Sequence, residues 1–110
     1  MDNILLDECV PRAIRKELGD PRIMTTRMMG LDGIKNGELL SRMLQLGLNV
    51  LVTVDRSLAK QQKLAGKGVA VVVLEAKSNR VQHLLPLVPR LRVALNHVQP
   101  GQVVRIGSED

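Results

Sequence analysis

The chain of 110 residues contains no Phe, Tyr or Trp. That absence excludes recognition built on aromatic stacking, including the base-stacking platforms of single-strand binders. It also leaves the core to Leu, Val, Ile, Met and Ala. Cys9 is the one cysteine, so no disulfide can form within the chain, and the disulfide-dense frameworks of small secreted domains are excluded. No apolar run approaches a membrane span; the longest, Val69 to Leu74, is strand-sized. The opening residues, MDNILLDECV, have neither the basic start nor the apolar core of a signal peptide. A cytoplasmic protein with no membrane partner is the expectation.

What is present reads as one globular domain over 1–107 with a flexible C-terminal tail at 108–110. Sixteen Lys and Arg against eleven Asp and Glu give a formal charge of +5. Such an excess favours a polyanionic partner, chiefly nucleic acid. Without Phe, Tyr or Trp, contact with RNA has to run through its phosphate backbone and through Arg.

Strand-like and helix-like patterns alternate. Asn3 to Leu6 reads as a short buried strand. Pro11 opens a helix with Val10, Ala13, Ile14 and Leu18 on one face and Arg12, Arg15 and Lys16 on the other, stopped by Gly19. Residues 22–26 form a second strand and 27–35 a loop. Asn36 caps a helix over 37–46 whose buried stripe is Leu39, Leu40, Met43, Leu44 and Leu46. A strand follows over Asn49 to Val54, then a helix over about 57–65 and the strongest strand, Val69 to Leu74. A long apolar period from Val81 to Val98 predicts a last helix, kinked or split by Pro86 and Pro89. Gln102 to Ile106 closes the order. The fold class is therefore α/β, a mostly parallel five-stranded sheet with helices on both faces.

Two strands of this order run into acids: Leu5-Leu6 into Asp7-Glu8, and Val52-Thr53-Val54 into Asp55. In an open α/β sheet, ligands bind beyond the carboxyl ends of the strands. If the first and third strands are neighbours, Asp7 and Asp55 meet there, and Glu38, in the first turn of a helix entered from the same edge, adds a third carboxylate. Clustered carboxylates invite a hard cation, Mg2+ or Mn2+. Thr53 can orient a metal-bound water there, or simply reflect the β-propensity of threonine. Each acid also has a simpler role: Asp7 or Glu8 at a helix N-terminus, Glu38 in an i,i+4 pair with Arg42, Asp55 as an N-cap. Arg56, Lys60 and Lys63, with Arg12 from the first helix, are the expected phosphate contacts. Asp32 is expected to be solvated, and His83 and His97 to lie on the surface. Cys9 reads as a small buried residue.

The motifs ILLDE, GIKNGELL at 33–40 and LVTVDRSL at 51–58 together resemble the small PIN-like domain proteins of prokaryotes. The resemblance runs through nearly the whole chain. It implies a metal-dependent ribonuclease acting as the toxin of a toxin–antitoxin pair, with RNA, an antitoxin protein and a second copy of the chain as partners. By the same resemblance Asp7, Glu38, Asp55 and Thr53 are the catalytic set, and Asp7, Glu8, Glu38 and Asp55 the ligands of Mg2+ or Mn2+. Many family members carry a further Asp two positions beyond Asp55, where this chain has Ser57; the fourth ligand is then absent or supplied by Glu8. The alternative is a PIN-like scaffold that binds RNA or an antitoxin without cleaving. More remotely, acids after the first and third strands also resemble a phosphoacceptor receiver domain. Leu74-Glu75 and Ile106-Gly107 depart from the hydroxyl and lysine that receivers carry at the ends of their last two strands.

Overall fold

The computed structural model describes residues 3–34, 36–57 and 68–107. The strands are β1 (Ile4–Leu6), β2 (Ile23–Thr25), β3 (Val50–Thr53), β4 (Ala70–Glu75) and β5 (Val103–Gly107). All neighbours pair in parallel, in the order β2-β1-β3-β4-β5. The helices are α1 (Arg12–Leu18), α2 (Asn36–Gln45), α3 (Val81–Leu84) and α4 (Val88–His97). The expected α/β architecture is the one observed. The helix expected over about 57–65 falls largely outside the described residues, as do Lys60, Lys63 and the tail at 108–110.

The strand order follows from the crossovers. From β1 the chain steps outward to β2, then returns past β1 to β3. Right-handed crossovers in opposite directions must lie on opposite faces of the sheet. The core divides accordingly. Ile14 and Leu18 of α1 pack with Leu91 and Leu95 of α4 against Ile4, Leu6, Val50 and Val52. On the other face Leu39, Leu40 and Met43 of α2 pack against Leu5, Leu51, Val71 and Val73. Alternate residues of one strand thus serve two cores, which is why β1, β3 and most of β4 are continuous apolar runs rather than alternating ones.

Boundaries obey local chemistry. Gly19 ends α1 at φ 62°, a left-handed conformation that needs no Cβ. Pro86 divides the last helical stretch: a 3-10 turn over Leu85–Leu87 separates α3 from α4, and Pro89 sits in the first turn of α4, where its missing N–H costs nothing. Three details differ from the sequence pattern. Asn36 is the first residue of α2 rather than its cap. Leu44 and Leu46 are exposed, at 40% and 47%. Because α2 ends at Gln45 and Gly47 (φ 78°) turns the chain back, Leu48 at 2% exposure fills the place expected for Leu46. Leu85 lies in the 3-10 turn and is likewise exposed, at 38%. Among the described residues no helix is long and apolar enough to cross a membrane.

Candidate functional site at the carboxyl edge of the sheet

β1 has β2 on one side and β3 on the other, so the connections leaving β1 and β3 diverge at their carboxyl ends. This is the topological switch point at which doubly wound sheets bind ligands. Three of the predicted residues, Asp7, Thr53 and Asp55, belong to it.

Asp7 continues the ladder by one residue: its N–H donates to Val52 O at 2.9 Å, and its own carbonyl accepts from Val10 N–H at 2.9 Å. The side chain therefore leaves the sheet beside the end of β3, where Thr53 is fully buried. The Thr53 hydroxyl donates to Asp7 Oδ2 at 2.8 Å and accepts from the Asp55 N–H at 3.0 Å. One buried hydroxyl thus joins the two acid-bearing strand ends. Asp7 Oδ1 accepts the Glu8 N–H at 2.8 Å. Asp55 is exposed, and its Oδ1 accepts both the N–H and the hydroxyl of Ser57, at 2.9 and 2.6 Å. No hydrogen bond from a described residue reaches Asp55 Oδ2.

Cys9 is half-buried, with Sγ 3.6 Å from Thr53 Oγ1. Burial pushes its thiol above the ordinary range; hydrogen bonding to the Val54 backbone and to Thr53 pulls it part of the way back. Asn79, from the segment leaving β4, donates to Cys9 O at 3.2 Å and so ties that exit to the same edge.

The remaining expected residues stand elsewhere. Glu8 is exposed and accepts the Gly33 N–H at 2.6 Å, which fastens the loop after β2 to the exit of β1. Glu38 is paired with Arg42 at 3.3 Å across one helical turn, both side chains open to solvent. Among the described residues no three Asp, Glu, His or Cys side chains stand together as a ligand set. Arg56 is exposed, and its Nη2 donates to Ala76 O at 3.4 Å.

Other side chains of this edge escaped the sequence. Thr26, 2% exposed, donates its hydroxyl to Asp32 Oδ1 at 2.7 Å, so Asp32 is anchored although exposed. Its signal was its place, at the exit of a strand. Ala13, expected on the apolar face of α1, is exposed and lines a cleft of about 1100 Å3 between α1 and the exit of β2. That cleft contains Asp7, Glu8 and Asp32, but not Asp55. His97 is at the surface, whereas His83 is half-buried with Nδ1 2.5 Å from the Ser78 hydroxyl.

Comparison with family models, with curated proteins and with solved structures finds no match to this chain.

Proposed function

We propose that this chain is a metal-dependent ribonuclease of PIN-like type, and the toxin of a toxin–antitoxin pair, with its reaction centre at the carboxyl ends of β1 and β3. The observation that supports this most directly is the buried Thr53 hydroxyl between Asp7 and Asp55, at the switch point of a parallel sheet. Its proton goes to a carboxylate 46 positions away, and its oxygen accepts the backbone N–H of Asp55.

The donor set fits a hard cation. It is all oxygen, and Asp55 Oδ2 has no hydrogen-bond partner among the described residues. Asp7 and Asp55 would hold Mg2+ or Mn2+, with Glu38 the third acid that the resemblance supplies. When bound, the ion offsets charge on the phosphodiester and activates water for attack. Thr53 fixes the orientation of Asp7 by donating to Oδ2, and its burial keeps that bond from exchanging with solvent. The Glu38–Arg42 pair is a surface pair of about 0.2–0.5 kcal/mol, small enough to be exchanged for a better partner.

A second reading, a scaffold that binds RNA or an antitoxin without cleaving, is favoured by Ser57. Where the family often has a fourth acid, this serine donates to Asp55 Oδ1 and occupies one carboxylate oxygen. Incubation of the purified protein with RNA, with and without Mn2+, separates the two. Asp7→Asn and Asp55→Asn should each lower cleavage by orders of magnitude. Metal binding is read independently by calorimetric melting: at ten times the dissociation constant, Mn2+ should stabilise the native chain by about 1.4 kcal/mol. Asp55→Asn should abolish that response. A wild-type midpoint unmoved by either cation would sink the metal site; a moved midpoint without cleavage would establish the scaffold reading.

A further inference from the structure

α1 carries Arg12, Arg15 and Lys16 at i, i+3 and i+4, one face of the helix. Opposite them the chain leaves β2 through Arg27, and these four side chains line the cleft of about 1100 Å3 that has Asp7 at its sheet end. The volume stands at the upper end of the ~300–1,000 Å3 usual for a small-molecule site, which leaves room for a short length of chain.

The charges within it are arranged unusually. Asp7, Glu8 and Asp32 line the same walls, yet each accepts a hydrogen bond from the frame: Asp7 from Thr53, Glu8 from the Gly33 N–H, Asp32 from Thr26. The ion pairs among the described residues are Arg22–Asp20, Arg42–Glu38 and Arg105–Glu75, and none involves a cleft cation. Arg15 is held in place, its Nε donating to Ile23 O at 2.8 Å, which leaves its terminal nitrogens for a ligand. Four cations against the carboxylates of Asp7, Glu8 and Asp32 leave the lining one positive charge in excess, and the cations, unpaired with those acids, gather on α1 and Arg27 where an anionic chain can meet them.

We propose that this cleft seats the sugar–phosphate backbone of a single-stranded RNA, with Arg12, Arg15, Lys16 and Arg27 on its phosphates and Asp7 at the inner end. The assignment rests on the RNA-hydrolase reading for the identity of the polyanion, and it puts phosphate contacts on α1 and the exit of β2. With no Phe, Tyr or Trp in the chain, binding of this kind runs through the phosphates rather than through stacked bases.

The test is fluorescence anisotropy of a fluorescein-labelled oligouridine across a salt series in EDTA, where no cleavage intervenes. A variant combining Arg12→Gln, Lys16→Gln and Arg27→Gln should bind more weakly, with the log–log salt slope reduced by about two, from about 0.7 per lost single-strand contact. Arg15 is spared because it holds a β2 carbonyl. A matching variant with Arg80→Gln, Arg90→Gln and Arg92→Gln, none of which lines the cleft, should keep the wild-type slope. Circular dichroism confirms the fold, and if the combined variant melts, the three single substitutions should each remove about 0.7 from the slope. An unchanged slope in folded cleft variants overturns the proposal, as does wild-type protein that fails to bind the oligonucleotide. So does a loss seen on oligodeoxythymidine but not on the RNA. Mn2+-dependent cleavage that persists alongside any of these results leaves the nuclease reading standing and removes only the cleft.

Discussion

Thr53 and Thr26 are both buried, at 0% and 2% exposure, and both donate their hydroxyl to a carboxylate. They differ in reach. Thr53 takes Asp7 from the neighbouring strand, 46 positions away, and accepts the Asp55 amide as well. Thr26 takes Asp32 from its own loop, six positions on. The first bond exists only once β1 and β3 have paired; the second needs only the local turn. The same two groups therefore make a junction between strand ends in one place and a latch on a cleft wall in the other. Long range, not the chemistry of the pair, separates the strand junction from the loop latch.

The largest effect that tests this contrast is Thr53→Val, which keeps the volume and removes the hydroxyl. Asp7 loses its anchor, and RNA cleavage should fall about 10–100-fold, the usual cost of a lost partner behind a ligand. Thr26→Val should instead lower stability by about 0.5–1.5 kcal/mol, a few degrees in calorimetric midpoint, and leave the cleavage rate at saturating RNA unchanged. If Thr26→Val damaged cleavage as strongly as Thr53→Val, the two pairs would be equivalent and the contrast would be broken.

Cys9 sharpens it without any substrate. Its thiol, raised by burial, should alkylate slowly at neutral pH and faster only above the ordinary thiol range, because the thiolate is the nucleophile. Thr53→Val removes the hydroxyl beside Sγ, so the alkylation rate at a fixed pH should change. Thr26→Val should not change it. The smallest effect is that of Glu38→Gln on stability, about 0.2–0.5 kcal/mol for a solvated pair. Its effect on cleavage assigns the third acid: a loss like that of Asp55→Asn puts Glu38 at the centre, and a small melting shift alone leaves it a helix-surface pair.

Much of this edge is legible in the chain. ILL before Asp7 and VLVT before Asp55 are continuous apolar runs, which only a strand buried on both faces requires. Thr53 stands out as the polar break at the end of such a run. The Thr26–Asp32 latch was not legible, because hydrogen bonds within a loop depend on the path of its backbone rather than on any period. Leu44 and Leu46 fit a helical stripe by spacing alone. Their exposure followed from where α2 stops and Gly47 turns.

By itself the sequence determined the alternation of elements, the parallel α/β class and the acids at the strand exits, since apolar period and turn chemistry are local properties. The tertiary structure decided which exits became neighbours. The reversal of direction at β1 placed Asp7 beside Thr53, and the packing of α1 on one face set Arg12, Arg15 and Lys16 across from Arg27. On an isolated helix those three cations are an ordinary solvated face. They line a cleft because the loop after β2 is fastened opposite them through the Gly33 N–H to Glu8, 25 positions apart, and a contact of that range forms only when β1 and β2 have paired.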